Sequence, residues 1–118
     1  MQFSDRLMHE HLFSYGTLQR PEVQIELFGR ILHSSADTLK GYRIAEIEIN
    51  DESFLSKGEN KNQKTLIISN DQDVYINAVV LEITEEELLL VDKYEPDNYS
   101  RIKVKLESGK EAWIYIAI

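Results

Sequence analysis

The chain contains no cysteine and only two prolines and five glycines among its 118 residues. The lack of cysteine excludes disulfides, thiolate metal sites and a cysteine nucleophile, and it fits a reducing compartment. No apolar run approaches the roughly 20 residues of a membrane-spanning helix. The first residues also lack the apolar stretch of a signal peptide. These absences predict a cytoplasmic protein that does not interact with a membrane.

Basic charge is also scarce, with 13 Lys and Arg against 21 Asp and Glu, which gives a net charge of −8. A surface of this sign repels phosphate, so a nucleic-acid partner is not expected. Lys57, Lys61 and Lys64 lie close together in sequence, but Glu59 stands among them. This mixture is typical of a solvated loop. The sequence indicates nothing about the oligomeric state.

The length of the chain predicts one domain over residues 1–118, with residues 1–10 as an N-terminal extension. The hydrophobic pattern predicts about six strands and two short helices, the strands running in both directions. We therefore expect an α+β fold with a small mixed β-barrel or curved sheet and flanking short helices. The expected strands are residues 12–15, 42–49, 65–69, 74–83, 100–106 and 111–116, with residues 30–39 as a further candidate.

Two helices have recognisable ends. Pro21 suits the first turn of a helix that Gly29 would terminate. Thr84 and Glu87 have the spacing of a capping box at the start of the second helix, and Pro96 prevents that helix from passing the preceding residue. The run of residues 88–91 is expected to supply its buried side.

Two finer expectations concern the middle of the chain. The apolar residues of strand 42–49 fall first on even and then on odd positions, which predicts a β-bulge near Ala45 or Glu46. The polar segment of residues 50–64 is expected to be the longest loop of the molecule.

The most informative local segment is residues 13–18, of sequence FSYGTL. It reads as a strand, a glycine turn and the approach to a helix, an arrangement that leaves backbone N–H groups free to point at a ligand. Gly16 is able to adopt a positive φ and carries no Cβ, so another molecule could approach the backbone closely there. A tight turn with no ligand is the alternative.

Glu95 is the acid whose position is most suggestive of chemistry. It follows a leucine-rich helix, stands between Tyr94 and Pro96, and has Tyr99 close behind. A carboxylate beside aromatic rings is partly desolvated, which raises its pKa towards neutrality, as a general acid/base requires. The alternative is an exposed glutamate at a helix end. Asp92, three residues earlier, could share its helical face, although a surface or capping role is the simpler interpretation.

The other motifs give weaker indications of a catalytic, metal or nucleotide site. His9 and His11 could offer two imidazoles to a metal, but a site needs a third ligand and the only other histidine is His33. Ser14 does not stand in a nucleophile elbow, so a serine triad is not expected. No phosphate-binding glycine motif occurs. Neither a metal nor a cofactor is therefore expected.

Two motifs together resemble one family. Tyr15-Gly16-Thr17-Leu18 is similar to the glycine loop of the γ-glutamylcyclotransferase-like superfamily, which includes the AIG2-like proteins. Leu90-Val91-Asp92-Lys93-Tyr94-Glu95, followed by Tyr99 and Arg101, looks like the second motif of that family. The likeness extends over nearly the whole chain.

The resemblance implies a small mixed barrel that cleaves a small-molecule γ-glutamyl amide and releases 5-oxoproline and a free amine. It implies that Glu95 is the catalytic acid/base and that no metal or cofactor is needed. Backbone amides of the glycine loop would hold the γ-glutamyl group. The residues it assigns to substrate binding are Tyr15, Gly16, Thr17, Leu18 and Tyr99.

The chain departs from the family pattern at three places. Pro96 stands where a glycine commonly follows the family glutamate, Ala78 replaces a glycine, and a proline is missing from residues 65–68. The first bears on the backbone beside the acid, and the others bear on the pocket wall. The hypotheses are therefore a cyclotransferase, a non-catalytic module that binds a γ-glutamyl ligand, and a structural interaction domain with no pocket joining Gly16 to Glu95.

Overall fold

The computed structural model describes residues 10–118, which form seven strands, three α-helices and one 3-10 turn at Thr17–Gln19. No helix among these residues has the length and apolar character that crossing a membrane requires. The helices are α1 (Pro21–Phe28), α2 (Glu52–Leu55) and α3 (Glu85–Tyr94). The strands are β1 (Glu10–Ser14), β2 (Ser34–Lys40), β3 (Tyr42–Glu48), β4 (Asn62–Ile68), β5 (Tyr75–Ile83), β6 (Tyr99–Lys105) and β7 (Glu111–Ala117).

The main sheet has five strands in the order β2-β5-β1-β7-β6. Its neighbouring strands are antiparallel except β1 and β7, which are parallel, so the sheet is mixed. Strands β3 and β4 form a separate two-stranded sheet. The predicted strand in residues 74–83 is β5, and it occupies an interior position because β2 and β1 pair with its two edges.

The main sheet curves until its two edges approach each other. The Glu107 N–H, just beyond β6, donates to the Thr38 carbonyl oxygen in β2 at 2.9 Å. The small sheet contacts β7 through the Ala117 N–H, which donates to Thr65 Oγ1 at 2.8 Å. The expected α+β fold with a curved mixed sheet and short flanking helices is confirmed. The described strands form two sheets and do not close into one barrel.

Side chains from the two faces of the curved sheet fill two clusters. Leu12 and Phe13 show the division, since they are adjacent on β1, both 1% exposed, and belong to different clusters. Successive side chains of a strand point to opposite faces. Cluster 1 packs α1 and α3 against one face and includes Val23, Leu81, Ile83, Leu88, Val91, Tyr94 and Tyr115. Cluster 2 includes Leu39, Leu66, Ile76, Val80, Leu106, Ala112 and Ile114.

The predicted helix ends are confirmed. Gly29 ends α1 in the left-handed conformation with φ 72°. The Glu87 N–H donates to Thr84 Oγ1 at 3.0 Å, and the Thr84 N–H donates to Glu87 Oε1 at 2.9 Å, which completes the capping box of α3. Helix α3 ends at Tyr94, immediately before Glu95 and Pro96, so the backbone turns extended at the candidate acid.

The predicted bulge in β3 is wrong. Strands β3 and β4 pair without interruption from Tyr42 opposite Ile68 to Glu48 opposite Asn62. The apolar residues change phase because the two-stranded sheet spans both clusters: Tyr42 packs against cluster 2, whereas Ile47 packs against cluster 1. Two-stranded ribbons twist strongly, so opposite faces become buried at the two ends of one strand.

The prediction of one long loop at residues 50–64 is also wrong. Asp51 caps α2 by accepting hydrogen bonds from the Ser53 and Phe54 N–H groups at 3.0 and 3.4 Å. Phe54 is 2% exposed and anchors this helix in cluster 1. Strand β4 begins at Asn62, three residues earlier than expected. The aromatic anchor and the aspartate cap were the available signals within an otherwise polar segment.

Two smaller expectations need correction. Leu88 and Val91 are buried in α3, but Leu89 and Leu90 are exposed, because only one stripe of a short helix faces the core. Strand β1 begins at Glu10, since the five residues Glu10–Ser14 all pair with β5. The remainder of the predicted N-terminal extension, residues 1–9, lies outside the described residues.

Candidate functional site

A cavity of about 660 Å³ opens where β1 ends. Its walls come from the turn after β1, from the segment between α2 and β4, and from the chain that follows α3. These three segments are far apart in sequence. The side chains and backbone that define its chemistry belong to Tyr15, Gly16, Thr17, Leu18, Arg20, Glu59, Lys64, Glu95, Pro96, Tyr99 and Tyr115.

The turn after β1 lines this cavity and contains backbone donors without a protein acceptor among the described residues. Thr17–Gln19 form a 3-10 turn in which the Gln19 N–H donates to the Gly16 carbonyl oxygen at 3.2 Å. Within residues 10–118, no acceptor bonds to the backbone N–H of Gly16, Thr17 or Leu18. The first N–H groups of a helical turn commonly lack intrahelical partners. The free donors that the sequence predicted here are therefore present in the structure.

Gly16 does not use the backbone freedom that distinguishes glycine. Its φ is −142°, so a positive φ does not explain the residue. A Cβ built on Gly16 would meet no atom of the protein within 4 Å. Packing of the described chain therefore does not require glycine, and the missing Cβ leaves space at the cavity wall.

The neighbours of Gly16 contribute in different ways. The Tyr15 hydroxyl donates to the carbonyl oxygen of Tyr115, which fixes the Tyr15 ring in the cavity wall. Thr17 is half-buried. Leu18 is 5% exposed and packs its side chain into cluster 1. A ligand would therefore meet the backbone of Leu18, with its side chain serving to anchor the turn.

Glu95 lines the same cavity as the turn. Its side chain is partly buried. The pKa of this carboxyl is raised from 4.5 to about 7, mainly because burial disfavours its charged form. The nearby Glu59 carboxylate contributes to this increase, whereas the Lys57 ammonium opposes it. A carboxyl with this pKa is able to take and give a proton near neutral pH.

Four tyrosines surround the Glu95 carboxyl. Burial raises the pKa of each tyrosine hydroxyl, and the Glu95 charge adds to the increase in every case. Each of the four hydroxyls donates a hydrogen bond within the protein, which holds its ring in place, and all of them except Tyr94 line the cavity. The donor–acceptor pairs are Tyr15 to the Tyr115 carbonyl oxygen, Tyr94 to Glu59, Tyr99 to the Lys64 carbonyl oxygen, and Tyr115 to Asp92.

Glu59 is a second acid of the cavity, and it was missed in the sequence. It was assigned to a solvated lysine-rich loop, but its side chain is only 10% exposed. It accepts hydrogen bonds from the Tyr94 hydroxyl and from Arg20 Nη2, the latter at 3.1 Å to Oε1. One indication of this role was present in the sequence, since Glu59 is an acid that interrupts the group of Lys57, Lys61 and Lys64. Arg20 was also missed, although it stands only two residues beyond Leu18.

Asp92 does not line the cavity, and its carboxylate forms hydrogen bonds with residues of two strands. Its carboxylate accepts hydrogen bonds from Arg101 Nε at 2.9 Å and from the Tyr115 hydroxyl at 2.6 Å. The Asp92 charge also contributes to the raised pKa of Glu95. The Asp92 side chain thus connects α3 to β6 and β7, and it does not line the cavity with Glu95.

The remaining candidates do not meet at this site. Ser14 is 5% exposed and no histidine lines the cavity, so the described residues hold no serine triad there. His11 is in β1, His33 precedes β2, and His9 lies outside the described residues. Among residues 10–118, no three His, Asp or Glu side chains are grouped as metal ligands. All six predicted site residues, Tyr15, Gly16, Thr17, Leu18, Glu95 and Tyr99, line one cavity.

The sequence of residues 12–117 matches the profile of the family described as γ-glutamyl cyclotransferase, AIG2-like. The chain therefore belongs to this family, which supports a cyclotransferase-type function. No curated protein matches it.

Solved structures with low sequence identity share the fold. The solution structure of the Arabidopsis thaliana protein At5g39720.1 is 21% identical with a TM-score of 0.70, covering 98% of this chain and 73% of that one. The solution structure of At3g28950.1 from Arabidopsis thaliana is 19% identical with a TM-score of 0.66, covering 92% of this chain and 61% of that one. A structure named Gamma-glutamyl cyclotransferase is 16% identical with a TM-score of 0.67, covering 92% and 66%. This chain spans less than two thirds of the length of the last two.

Proposed function

We propose that this protein is a γ-glutamyl amine or peptide cyclotransferase that converts a γ-glutamyl amide into 5-oxoproline and a free amine. The observation that carries the proposal is the position of Glu95, whose pKa is about 7, on the same cavity as the free N–H groups of residues 16–18. A proton carrier and a group of oxyanion donors are the two devices that this reaction needs.

The substrate supplies its own nucleophile. After its α-ammonium loses one proton to solvent, the α-amine attacks the γ-carbonyl carbon, and the Glu95 carboxylate takes a second proton as the C–N bond forms. When the original amide bond breaks, protonated Glu95 gives that proton to the departing nitrogen, and the released amine takes up a proton from water. Glu95 is then a carboxylate again. Such proton transfer typically accelerates a reaction by about 10²–10⁴-fold.

The turn and the aromatic walls would control the geometry of ring closure. The N–H groups of Gly16, Thr17 and Leu18 would hold the substrate carboxylate or the oxyanion that develops on the γ-carbonyl oxygen. Tyr15 and Tyr99 would confine the folded substrate, and positioning of this kind removes several kcal/mol of barrier. The proposed unit acts as a single domain in the cytoplasm and uses no metal or cofactor.

The test is incubation with a panel of γ-glutamyl amides while 5-oxoproline is quantified. We expect turnover of at least one amide and a decrease of roughly 10²–10⁴-fold in kcat for Glu95→Gln. Glu111→Gln is the matched control, because Glu111 is exposed at the start of β7 and lies away from the cavity. Full activity of Glu95→Gln would show that the carboxyl does not carry the proton.

The alternative is a module that binds a γ-glutamyl ligand without turnover. Pro96, which stands where the family commonly has glycine, is buried and lines the cavity directly beside Glu95. It fixes the backbone at the position where a catalytic carboxyl would need to be aimed. This alternative predicts saturable binding of a γ-glutamyl amide that is recovered intact after long incubation, with no 5-oxoproline formed.

A further inference from the structure

Arg20 follows the turn after β1, and its partly exposed side chain lines the cavity. It follows Gln19, the last residue of the 3-10 turn, and its own N–H donates to the Thr17 carbonyl oxygen at 3.0 Å. Its side chain is 47% exposed and lines the same cavity as Glu95. The backbone of Arg20 is thus fixed while its guanidinium remains accessible to a ligand.

The guanidinium of Arg20 has N–H groups that bond to no acceptor among the described residues. Its Nη2 atom serves both oxygens of Glu59, at 3.1 and 3.2 Å. Its Nη1 atom lies 3.9 Å from Glu22, beyond hydrogen-bond distance. Among residues 10–118, no acceptor bonds to Nε or Nη1. An arginine presents five N–H groups in a planar fork that matches a carboxylate, so this side chain could bind a second carboxylate while retaining Glu59.

Glu59 places a negative charge next to that fork. It is largely buried and also accepts a hydrogen bond from the Tyr94 hydroxyl, so its carboxylate is held in place. Its side chain lines the same cavity as Glu95, and its charge raises the pKa of the Glu95 carboxyl. The cavity wall therefore presents the Arg20 cation and the Glu59 anion side by side, on the same cavity as Glu95.

We infer that Arg20 and Glu59 form the subsite for the charged head of the γ-glutamyl group, with Arg20 receiving the α-carboxylate and Glu59 receiving the α-ammonium. An α-amino acid carries these two charges on a single carbon, so they are adjacent just as the two side chains are. The inference rests on the proposed function, and it leaves the N–H groups of residues 16–18 for the oxyanion.

Two other interpretations make different predictions. The Arg20–Glu59 pair could serve only to fasten the turn after β1 to the segment after α2, in which case its loss would affect every substrate equally. Lys64 is the other cation that lines the cavity, and it could bind the α-carboxylate in place of Arg20. Arginine is favoured because its fork is pre-organised, whereas the lysine ammonium is a single flexible point charge.

The first experiment compares two substrates. One is a γ-glutamyl amide that the enzyme turns over, and the other is its α-carboxamide, which can still cyclise because the α-amine and γ-carbonyl are unchanged. We expect kcat/KM of the wild-type protein to fall roughly 10- to 100-fold with the carboxamide, the effect of losing a charge-assisted hydrogen bond. Arg20→Gln should impose a similar decrease on the free acid and little further decrease on the carboxamide.

The control variants are Lys64→Gln and Arg43→Gln. Arg43 is exposed on β3 and lies away from the cavity, so its replacement should leave both substrates unaffected. Equal decreases for both substrates with Arg20→Gln would overturn the inference in favour of a structural fastening. Loss of discrimination with Lys64→Gln instead of Arg20→Gln would overturn it in favour of the lysine.

A binding measurement separates this inference from the proposed reaction. Nuclear magnetic resonance titrations would compare 5-oxoproline with its carboxamide on the wild-type and Arg20→Gln proteins. If no amide is turned over but 5-oxoproline binds in an Arg20-dependent manner, the subsite stands and the cyclotransferase proposal fails. If turnover occurs without dependence on Arg20, the subsite fails alone. If neither turnover nor binding is detected, both are overturned.

Discussion

The Glu95 carboxyl shows how one residue acquires a property that its type does not ordinarily have. An exposed glutamate is ionised throughout the physiological range. Here the partial burial, the aromatic neighbours and the Glu59 carboxylate disfavour the charged form, so the pKa rises to about 7. The proposed chemistry depends on this shift, because a carboxyl with an ordinary pKa would be a poor acid at neutral pH.

This shift predicts the pH dependence of the reaction. Because Glu95 must begin as the carboxylate, kcat/KM for a γ-glutamyl amide should show an ascending limb centred at about pH 7. The substrate α-ammonium must also lose a proton, which adds a second rise at higher pH. The measurement is a pH–rate profile in buffers of constant ionic strength. Glu59→Gln removes a neighbouring negative charge and should move this ascending limb to lower pH. An ascending limb with a midpoint near 4.5 would contradict the assignment.

The same shift has a consequence for stability whose sign is opposite to that of an ordinary carboxylate. Because the folded pKa of Glu95 lies above its unfolded value, the folded state binds more protons between about pH 4.5 and 7. Its contribution to stability is therefore complete below about pH 4.5 and is lost as pH rises through about 7. The free energy of unfolding of Glu95→Gln, measured against the wild-type protein, should lack this decline.

At the scale of elements, α3 sets the position of the acid. The helix is fixed at its start by the Thr84 capping box and stopped at its end by Pro96, so Glu95 emerges at the cavity in extended backbone. Glu87 also accepts two hydrogen bonds from Arg30, both at 2.8 Å, which links the start of α3 to the chain just after α1. A ten-residue helix with both ends determined leaves little freedom in where the carboxyl appears.

The capping box leads to a prediction about stability. Thr84→Ala removes the hydroxyl that accepts from the Glu87 N–H at 3.0 Å, and we expect a loss of about 0.5–2 kcal/mol in the free energy of unfolding. Chemical denaturation measures it. Thr84→Ser keeps the hydroxyl and is the matched control, expected to retain most of the stability. Equal destabilisation by both variants would mean that the Thr84 methyl group, rather than the cap, is responsible.

Helix α2 is short, but its capping residue holds together two segments of the cavity wall. The Asp51 carboxylate caps this helix and also accepts a hydrogen bond from the Asp97 N–H at 2.9 Å. Asp97 follows Pro96, so the capping residue connects the segment that carries Glu59 with the segment that carries Glu95. Two acids that are 36 positions apart in the sequence are thereby held in one arrangement.

At the scale of the whole molecule, the curvature of the main sheet creates the site. The turn after β1 and the chain after α3 are brought together because β1 is interior and cluster 1 packs α3 against the sheet. The hydrogen bond from Glu107 to Thr38 holds the sheet edges near each other and maintains that curvature. The cavity is therefore a property of the packed sheet and not of any one element.

Global stability should depend most on the residues that fill the curved sheet. Ile114 of β7 is fully buried in cluster 2, so Ile114→Ala should cost about 2–5 kcal/mol in the free energy of unfolding. Ile68→Ala is the matched control, since Ile68 is 73% exposed and its truncation should change stability by about 0.5 kcal/mol or less. Denaturant titrations of both variants measure the contrast. Similar losses for the two would contradict the core assignment.

The features that could be predicted from the sequence depend on interactions between residues that are close in the chain. The ends of α1 and α3 follow from Gly29, the capping box and Pro96, which act through a few neighbouring residues. The bulge and the long loop failed because tertiary packing overrode the local pattern: the twisted β3–β4 ribbon serves two clusters, and Phe54 anchors a helix in a polar segment. The residues that line the candidate site were predictable only where a motif marked them, so Arg20 and Glu59 were overlooked.

The sequence alone determined the start and end of the principal helices, the alternation of most strands, and the two motifs that contain Gly16 and Glu95. Each depends on interactions within a few residues or on a recognisable pattern. Only the tertiary structure decided that these motifs share one cavity, that Glu59 joins them, and that the Glu95 pKa is raised to about 7. Burial and charge proximity arise from contacts between distant segments, and the linear order of residues does not specify those distances.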